Sequence, residues 1–344
     1  MATASPVSRA RAAWPVLKAV GASVRLKQTG RVYAGLCPFH GDAHRPSLIV
    51  FPATDTWKCF TCGAGGDGLD FLVRQTGQPL RALLHTTLDT APVLRPVPVP
   101  APSPVAALAT RDRIYRRLIA SWDLSGAHAA QLHARGLDPA QARRWGWRSL
   151  VPGAAPFAVP SGVPGFYRAG GRWRLAGPGG LALPVQDAQG RVQALHVRAD
   201  AGPGKYVWWS TPGRPGGASS GAPVHVAGRA APRTTVWITE GPLKATVAAD
   251  RLGVPVIGVP GATLWTHALP VLANLGPTTV VLAFDQDADP TTAAAIAAAQ
   301  SACAAAVQAA GYAVRVATWS PAFKGLDDAL LAAATVQTEV WPGE

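Results

Sequence analysis

Three of the four cysteines lie in two short clusters that also contain one histidine. Cys37 and His40 form a Cys-x-x-His pair, and Cys59 and Cys62 form a Cys-x-x-Cys pair further along the chain. Structural zinc takes four thiolate or imidazole ligands in a closed tetrahedron. We therefore predict one zinc ion on these side chains, which folds its module and leaves no open position for chemistry. A disulfide or two buried thiols would be the alternative. Cys303, in an alanine-rich run, is predicted to be a core residue.

Acidic residues follow two predicted strands in the C-terminal third. Glu240 ends the apolar run 236–239, and Asp285 and Asp287 follow the run 278–284. Strands alternate with helical patterns here, which predicts a parallel sheet whose carboxyl ends share one edge. Glu240 and Asp285 should therefore converge, and converging carboxylates need a cation such as Mg²⁺ or Mn²⁺. Either motif alone is weak, because acidic strand ends are often solvated caps.

The predicted elements around the cysteines would bring the two pairs together. Residues 47–51 and 56–60 have the pattern of two strands, and a hairpin between them gives a zinc ribbon. Residues 67–75 have helical apolar spacing and should pack beneath the ribbon. Residues 91–104 are rich in proline, which predicts an extended linker.

The middle of the chain is basic and carries a predicted hairpin. Residues 111–233 contain seventeen Arg or Lys against five Asp or Glu, which supplies nearly all of the net charge of +13. A basic surface suits a polyanion, although an arginine-rich soluble surface would give the same count. Residues 132–141 resemble a helix, a glycine stop and a second helix. Residues 181–198 are predicted to be a β-hairpin that ends at Arg198, with Lys205 shortly after.

Several of these motifs resemble bacterial DnaG-type primases. Residues 33–40, Pro46, Ser47 and 57–67 are similar to their zinc-binding domain. The segment 132–137 resembles the start of their polymerase domain, and the basic hairpin resembles its N-terminal subdomain. Glu-Gly at one strand end and Asp-x-Asp at another resemble the Toprim fold of primases and of type IA and II topoisomerases.

The resemblance implies roles for individual residues. Glu240, Asp285 and Asp287 would be catalytic and would hold Mg²⁺ or Mn²⁺, with Asp289 and Asp327 as further metal ligands. Nucleic acid or nucleotide would be bound by a second set of residues, although Trp57 and Phe60 could equally be core residues. That second set is Arg198, Lys205, Lys244, Trp57 and Lys58, with the ring of Phe60 beside them.

Two departures from the family pattern stand out. Lys244 lies where cellular primases usually carry Asp, and it would contact a phosphate or be a solvated helix residue. Gly325 lies where the first aspartate of a Lys-Asp-Pro-Asp segment is expected, so one auxiliary ligand would be missing or replaced by Asp328. These features resemble primase-like proteins of phages and mobile elements.

The expected fold is a multidomain mixture of α+β and α/β. The predicted divisions are a CHC2-type zinc domain at 1–88, a linker at 89–108, a basic subdomain at 109–234, a Toprim domain at 235–335 and a tail at 336–344. No secretory signal is apparent and no apolar run of spanning length, so a cytoplasmic, nucleoid-associated protein without a membrane partner is expected.

The expected activity is primer synthesis from NTPs on single-stranded DNA. A helicase-binding module of the usual kind is not expected, so a replicative helicase would be a partner only in trans. Two alternatives remain at this point: a catalytically weak single-stranded-DNA-binding protein and a Toprim nuclease.

Overall fold

The computed structural model describes residues 5–39, 46–60, 64–86, 104–201, 205–229, 231 and 234–342. The chain divides into two compact units, each assembled from separate stretches of sequence. The first unit comprises Met1–Ala106, Gly153–Gly177 and Ser210–Gly221. The second unit comprises Ala107–Pro152, Pro178–Trp209 and Ala222–Glu344.

The N-terminal part of the first unit is a five-stranded antiparallel sheet with short helices. The two predicted strands form the hairpin of β3 and β4, in which Leu48 pairs with Cys59. The predicted helix begins after Asp67, which caps it in a reciprocal capping box with Asp70. The elements are α1 (Pro6–Ala13), α2 (Val16–Gly21), β1 (Lys27–Thr29), β2 (Val32–Gly35), β3 (Leu48–Phe51), β4 (Thr56–Cys59), β5 (Gly65–Gly66), α3 (Gly68–Thr76) and α4 (Leu80–Thr86).

The middle of the chain contributes to both units. Most of the predicted linker lies outside the described residues, and helix α5 begins at its end. The elements are α5 (Leu108–Ser121), α6 (Gly126–Ala134), α7 (Pro139–Arg144), β6 (Arg148–Leu150), β7 (Gly153–Ala154), β8 (Phe166–Ala169), β9 (Arg172–Leu175), β10 (Gly180–Gln186), β11 (Val192–Ala199) and β12 (Tyr206–Trp208). Strands β7–β9 form a small sheet of the first unit, and the order β12-β11-β10-β6 forms an antiparallel sheet of the second. The predicted hairpin is that of β10 and β11.

The C-terminal part of the second unit is a six-stranded mixed sheet covered by helices. Its order is β13-β15-β14-β16-β17-β18, with four central parallel strands and an antiparallel strand at each edge. The elements are β13 (His225–Ala227), β14 (Thr235–Glu240), α8 (Pro242–Leu252), β15 (Val256–Val259), α9 (Leu269–Leu275), β16 (Thr279–Ala283), α10 (Pro290–Ala309), β17 (Ala313–Thr318), α11 (Leu326–Leu331) and β18 (Gln337–Val340).

The edge strands are the main difference from the expected sheet. The fold is mixed α/β as expected, but the sheet is parallel only at its centre. Residues 336–344 were expected to be a tail, and they contain β18, which pairs with β17 from Arg315↔Val340 to Thr318↔Gln337. The physical reason is that β17 would otherwise leave a row of unpaired backbone groups at the sheet edge.

Hydrophobic clusters cover both faces of this sheet. The alanine-rich helix α10 places Cys303, Ala304 and Val307 in one of them, and all three are fully buried. Cys303 is therefore a core residue, as predicted, and burial raises the pKa of its thiol to about 12. By length and composition α10 is the one described helix that could cross a membrane, and its buried face packs on the sheet.

Candidate functional site

The first carboxylate lies where β14 meets α8. Glu240 ends the strand, and Gly241 turns the chain with φ +77°, a conformation that glycine adopts without strain. Pro242 then begins the helix, where its missing N–H costs nothing. The backbone N–H of Asp285 donates to Glu240 Oε1 at 3.2 Å, so the two strand ends meet as predicted. Burial raises the pKa of Glu240, and the neighbouring Asp285 charge adds to this.

Asp285 lies deepest among the strand-end carboxylates. Its side chain is 8% exposed, and its Oδ2 accepts a hydrogen bond from the Lys244 ammonium. Lys244 extends from the first turn of α8 with its side chain 23% exposed. The other oxygen, Asp285 Oδ1, is buried and has no hydrogen-bond partner. A buried carboxylate oxygen without a partner is costly, which marks this position as one that a ligand could complete.

Asp327 approaches the same point from α11. It is fully buried, and its Oδ2 accepts a hydrogen bond from Arg135 at 2.5 Å, while its Oδ1 has no partner. Burial raises the pKa of Asp327, and the Arg135 guanidinium opposes that rise. A Cβ at Gly325 would lie 2.5 Å from Asp327 Oδ1 and 3.6 Å from Asp285 Oδ1. Only glycine permits this close approach of the two carboxylates.

Asp328 does not replace the missing auxiliary carboxylate in this arrangement. Its Oδ1 accepts a hydrogen bond from Arg135 at 2.7 Å, so Arg135 bridges Asp327 and Asp328. Sequence reasoning did not single out Arg135 as a site residue, although the Arg-Gly motif after α6 contained it.

The remaining aspartates of the strand end are held by other groups. Asp287 Oδ2 accepts a hydrogen bond from Lys324, which lowers the pKa of Asp287 and raises that of Lys324. Asp289 caps α10 by accepting from the backbone N–H and the hydroxyl of Thr292, each at 2.8 Å. These bonds lower the pKa of Asp289 and give it a structural role at the helix start, while the ligand role expected for it stays a prediction.

The donor set suits a hard divalent cation, although lysines hold part of it. Within the described ranges, no three acidic, histidine or cysteine side chains are already grouped as a ligand set. Two ammonium groups hold Asp285 Oδ2 and Asp287 Oδ2. The partnerless oxygens of Asp285 and Asp327 remain. Carboxylate oxygens of this kind fit Mg²⁺ or Mn²⁺.

The predicted basic contacts lie together on the antiparallel sheet. Arg198 in β11 pairs in register with Tyr206 in β12, and Lys205 precedes that tyrosine. The Arg198 guanidinium donates to Gln131 at 2.8 Å, and the Lys205 side chain is exposed. Tyr206 also packs against the hydrophobic cluster that contains Leu243 and Val247 of α8. The basic strands and the acidic cluster therefore lie near each other within the second unit.

Two of the four predicted zinc ligands lie in the described residues. Cys37 and Cys59 are buried in one cluster, and Cys59 Sγ lies 3.2 Å from the Ser47 hydroxyl. The Cys59 backbone N–H donates to the Ala64 carbonyl at 2.7 Å. His40 and Cys62 lie outside the described residues.

The ribbon aromatics divide into one core ring and one surface ring. Trp57 is 2% exposed and packs against Phe39 and Phe71, with ring centroids 5.4 and 5.3 Å apart. Burial leaves it no free face for a base, which corrects the expected contact. Phe60 is 58% exposed, and the Lys58 ammonium lies 5.5 Å from its ring centroid. Phe60 and Lys58 therefore remain available for nucleic acid.

Comparison with known proteins gives different results for the two ends of the chain. Residues 3–90 match the family described as the CHC2 zinc finger of DnaG, which includes all four predicted zinc ligands. Residues 229–337 match a domain of unknown function, DUF3854. The zinc finger carries the similarity to named proteins, and the acidic region carries a family without an assigned role.

Relatives of known name align with about a fifth of this chain. The DNA primase of Halalkalibacterium halodurans is 41% identical over 81 residues, which are 24% of this chain and 13% of that protein. The DNA primase of a Synechocystis species is 47% identical over 76 residues, 22% of this chain and 11% of that protein. The matches thus span about a tenth of these relatives' length. A crystal structure of the Aquifex aeolicus primase (zinc-binding and RNA polymerase domains) is 16% identical, with a TM-score of 0.49, over 97% of this chain and 87% of that one.

Proposed function

We propose that this chain, which carries the CHC2 zinc finger of DnaG at residues 3–90, is a DNA primase. The observation that carries the proposal is this zinc-finger match, together with 40–47% identity to proteins named DNA primase over 62 to 81 residues. The acidic site at the strand ends of the same chain supplies the residues that nucleotidyl transfer requires.

The reaction joins two nucleotides on a single-stranded DNA template. The 3′-hydroxyl of the growing primer attacks the α-phosphate of an incoming NTP, and pyrophosphate leaves. Glu240, Asp285 and Asp287 are the residues that would hold a divalent metal, which when bound neutralises charge on the phosphates. Glu240 also accepts the Asp285 N–H and so fixes the two strand ends relative to each other.

Basic side chains would bind the template and the nucleotide. Arg198 lies on β11 and Lys205 immediately precedes the adjacent strand β12, and their charges would attract phosphates in a sequence-independent manner. Arg135 neutralises Asp327 and Asp328, which keeps the buried carboxylates in position. Lys244 and Lys324 lower the negative charge that an incoming triphosphate meets.

The zinc module would help to select the template. Zinc bound by Cys37, His40, Cys59 and Cys62 would hold the hairpin of β3 and β4 in place, and Phe60 with Lys58 offers a stacking face beside a cation. The proposal includes a replicative helicase as a partner in trans. It also places the protein in the cytoplasm, at the nucleoid.

One observation favours a second candidate, a single-stranded-DNA-binding protein with weak catalysis. Lys244 and Lys324 hold two of the three strand-end carboxylates, so a metal must compete with resident ammonium groups. Such competition would slow metal-dependent chemistry while leaving the basic surface intact.

Primer synthesis with labelled NTPs on single-stranded DNA separates these functions. The full zinc-loaded chain should extend primers with Mg²⁺ or Mn²⁺, and labelled oligonucleotides should be absent without divalent metal. DNA binding without any labelled product would support the second candidate and overturn the first. Cleavage of the template would instead indicate a nuclease.

A further inference from the structure

The Lys244 side chain lies inside the acidic cluster. Its ammonium donates to Asp285 Oδ2, and its Cε would lie 3.2 Å from a Cβ at Gly325. The same Cβ position is 2.5 Å from Asp327 Oδ1. Burial raises the pKa of both Glu240 and Asp327, and the Lys244 charge opposes that rise. The ammonium is therefore bonded to Asp285 and lies close enough to attract two further carboxylates that come from separate elements.

Lys244 is held in place more firmly than the other lysine of the cluster. Its side chain is 23% exposed, and its neighbours Leu243 and Ala245 are buried in the packing of α8. Lys324 is 62% exposed, so it can release Asp287 at little cost. A buried carboxylate that loses its ammonium partner is strongly destabilised, so Lys244 should stay on Asp285.

The net charge of the acidic cluster limits how many further cations it can bind. The cluster consists of five carboxylates and three basic groups, with Asp289 set apart as a helix cap. The five carboxylates are Glu240, Asp285, Asp287, Asp327 and Asp328, and the basic groups are Lys244, Lys324 and Arg135. With all of them ionised, the surplus is two negative charges, which is the charge of one divalent ion.

We propose that the Lys244 ammonium takes the place of a divalent cation at Asp285, so that the acidic site holds one Mg²⁺ or Mn²⁺ and no second ion. The buried, partnerless Asp285 Oδ1 and Asp327 Oδ1 remain for that ion, and Lys244 retains Asp285 Oδ2. A second ion on Oδ2 would lie in contact with the ammonium, and two like charges at that distance repel strongly. This inference rests on the proposed metal site of the primase, and its test does not require primer synthesis.

The test counts bound manganese. Zinc-loaded full-length protein is titrated with Mn²⁺, and the free ion is measured by its paramagnetic resonance signal, without NTP or DNA. The wild type should bind one Mn²⁺, and Asp285→Asn should lose it. Lys244→Met, which keeps the length of the side chain, should bind a second Mn²⁺ at least about tenfold more tightly than the wild type does.

Three further variants serve as controls for this measurement. Lys244→Arg keeps the charge and should stay at one Mn²⁺. Lys27→Met removes an exposed lysine from β1 and should match the wild type. Lys244→Ala repeats the measurement if the methionine variant fails to fold. Two tight ions in the wild type, or the same count and affinity in Lys244→Met, would overturn the proposal. If bound Mn²⁺ rises from one in the wild type to two in Lys244→Met, and the protein makes no primers, the result would support this proposal and refute only the primase function.

Discussion

The zinc module and the acidic cluster build their sites in opposite ways. The module takes its ligands from two short pairs, and a single hairpin joins Cys59 to the strand beside it. The acidic cluster collects side chains from β14, β16, α6, α8 and α11, with 192 residues between Arg135 and Asp327. A local site leaves a spacing that can be read directly from sequence. A site assembled from distant segments leaves no such spacing, because the fold determines which residues meet.

The two regions also differ in how far their site residues can be substituted. A tetrahedral zinc site fails when one ligand is lost, and residues 3–90 retain every ligand type. In the acidic cluster a lysine or arginine can neutralise a carboxylate as a metal ion does, so residues can change while the charge stays balanced. The zinc end therefore matches named proteins, whereas residues 229–337 match a domain of unknown function.

Loss of one zinc ligand should give the largest effect. Cys59→Ser should release the zinc and unfold the N-terminal module, because structural zinc in small fingers supplies roughly 10 kcal/mol or more. Zinc content by elemental analysis should fall from one equivalent to nearly none, and proteolysis should begin within residues 5–86. Cys303→Ser is the matched control, since it alters an equally buried thiol of the sheet and should keep its zinc. Equal zinc in both variants would show that Cys59 is not a ligand.

Removal of the Asp285 carboxylate should affect chemistry and spare the zinc module. Asp285→Asn should lower primer synthesis at least about a hundredfold, because it removes charge from the metal site and the partner of Lys244. Zinc content and DNA affinity should be unchanged. Asp289→Asn is the control, since asparagine also caps helices, and it should keep activity near the wild-type value. A comparable loss in both variants would mean that Asp289 belongs to the metal site.

The exposed aromatic of the ribbon should contribute to DNA binding. Phe60→Ala should weaken binding of single-stranded DNA by about 5- to 100-fold, the range expected for loss of one stacked base. Its melting temperature should stay close to that of the wild type, because the ring is 58% exposed. Fluorescence anisotropy with a labelled oligonucleotide measures the affinity. Phe71→Leu, a core substitution, should show the reverse: lower stability with little change in affinity per folded molecule.

The sequence predicted the helices and strands of this protein better than it predicted which side chains come into contact. The strands that end at Glu240 and before Asp285, and the hairpin that carries Arg198, follow from alternation and from glycine and proline positions. Exposure was harder to predict, because Trp57 and Phe60 lie three residues apart and only the packing of Phe39 and Phe71 buries one of them.

Ion pairs and edge strands escaped prediction for a related reason. The bond between Arg135 and Asp327 joins elements that only the folded sheet brings together, and no spacing rule connects them. Strand β18 is short and mostly exposed, so it carries little hydrophobic pattern, and it exists because β17 needs a partner.

The pH dependence of stability should give the smallest effect. Burial raises the folded-state pKa of Asp327, so the folded protein holds that proton at a pH where the unfolded chain has released it. This stability is fully present below the ordinary pKa of 3.8 and is lost as pH rises through the raised value. Asp327→Asn imitates the protonated form and cannot titrate. Its free energy of unfolding, relative to wild type and without divalent metal, should therefore increase from pH 4 to pH 7.

Urea unfolding at several pH values measures that difference. Asp138→Asn is the control, because it alters an exposed cap of α7, and its difference from the wild type should stay nearly constant over the same range. A difference for Asp327→Asn that shrinks as pH rises would mean that the Arg135 guanidinium outweighs burial and that the carboxylate is the favoured form. The acidic cluster would then gain stability from its internal ion pairs, as the zinc module does from its metal. The two regions would differ only in whether their site residues come from one short segment or from distant parts of the chain.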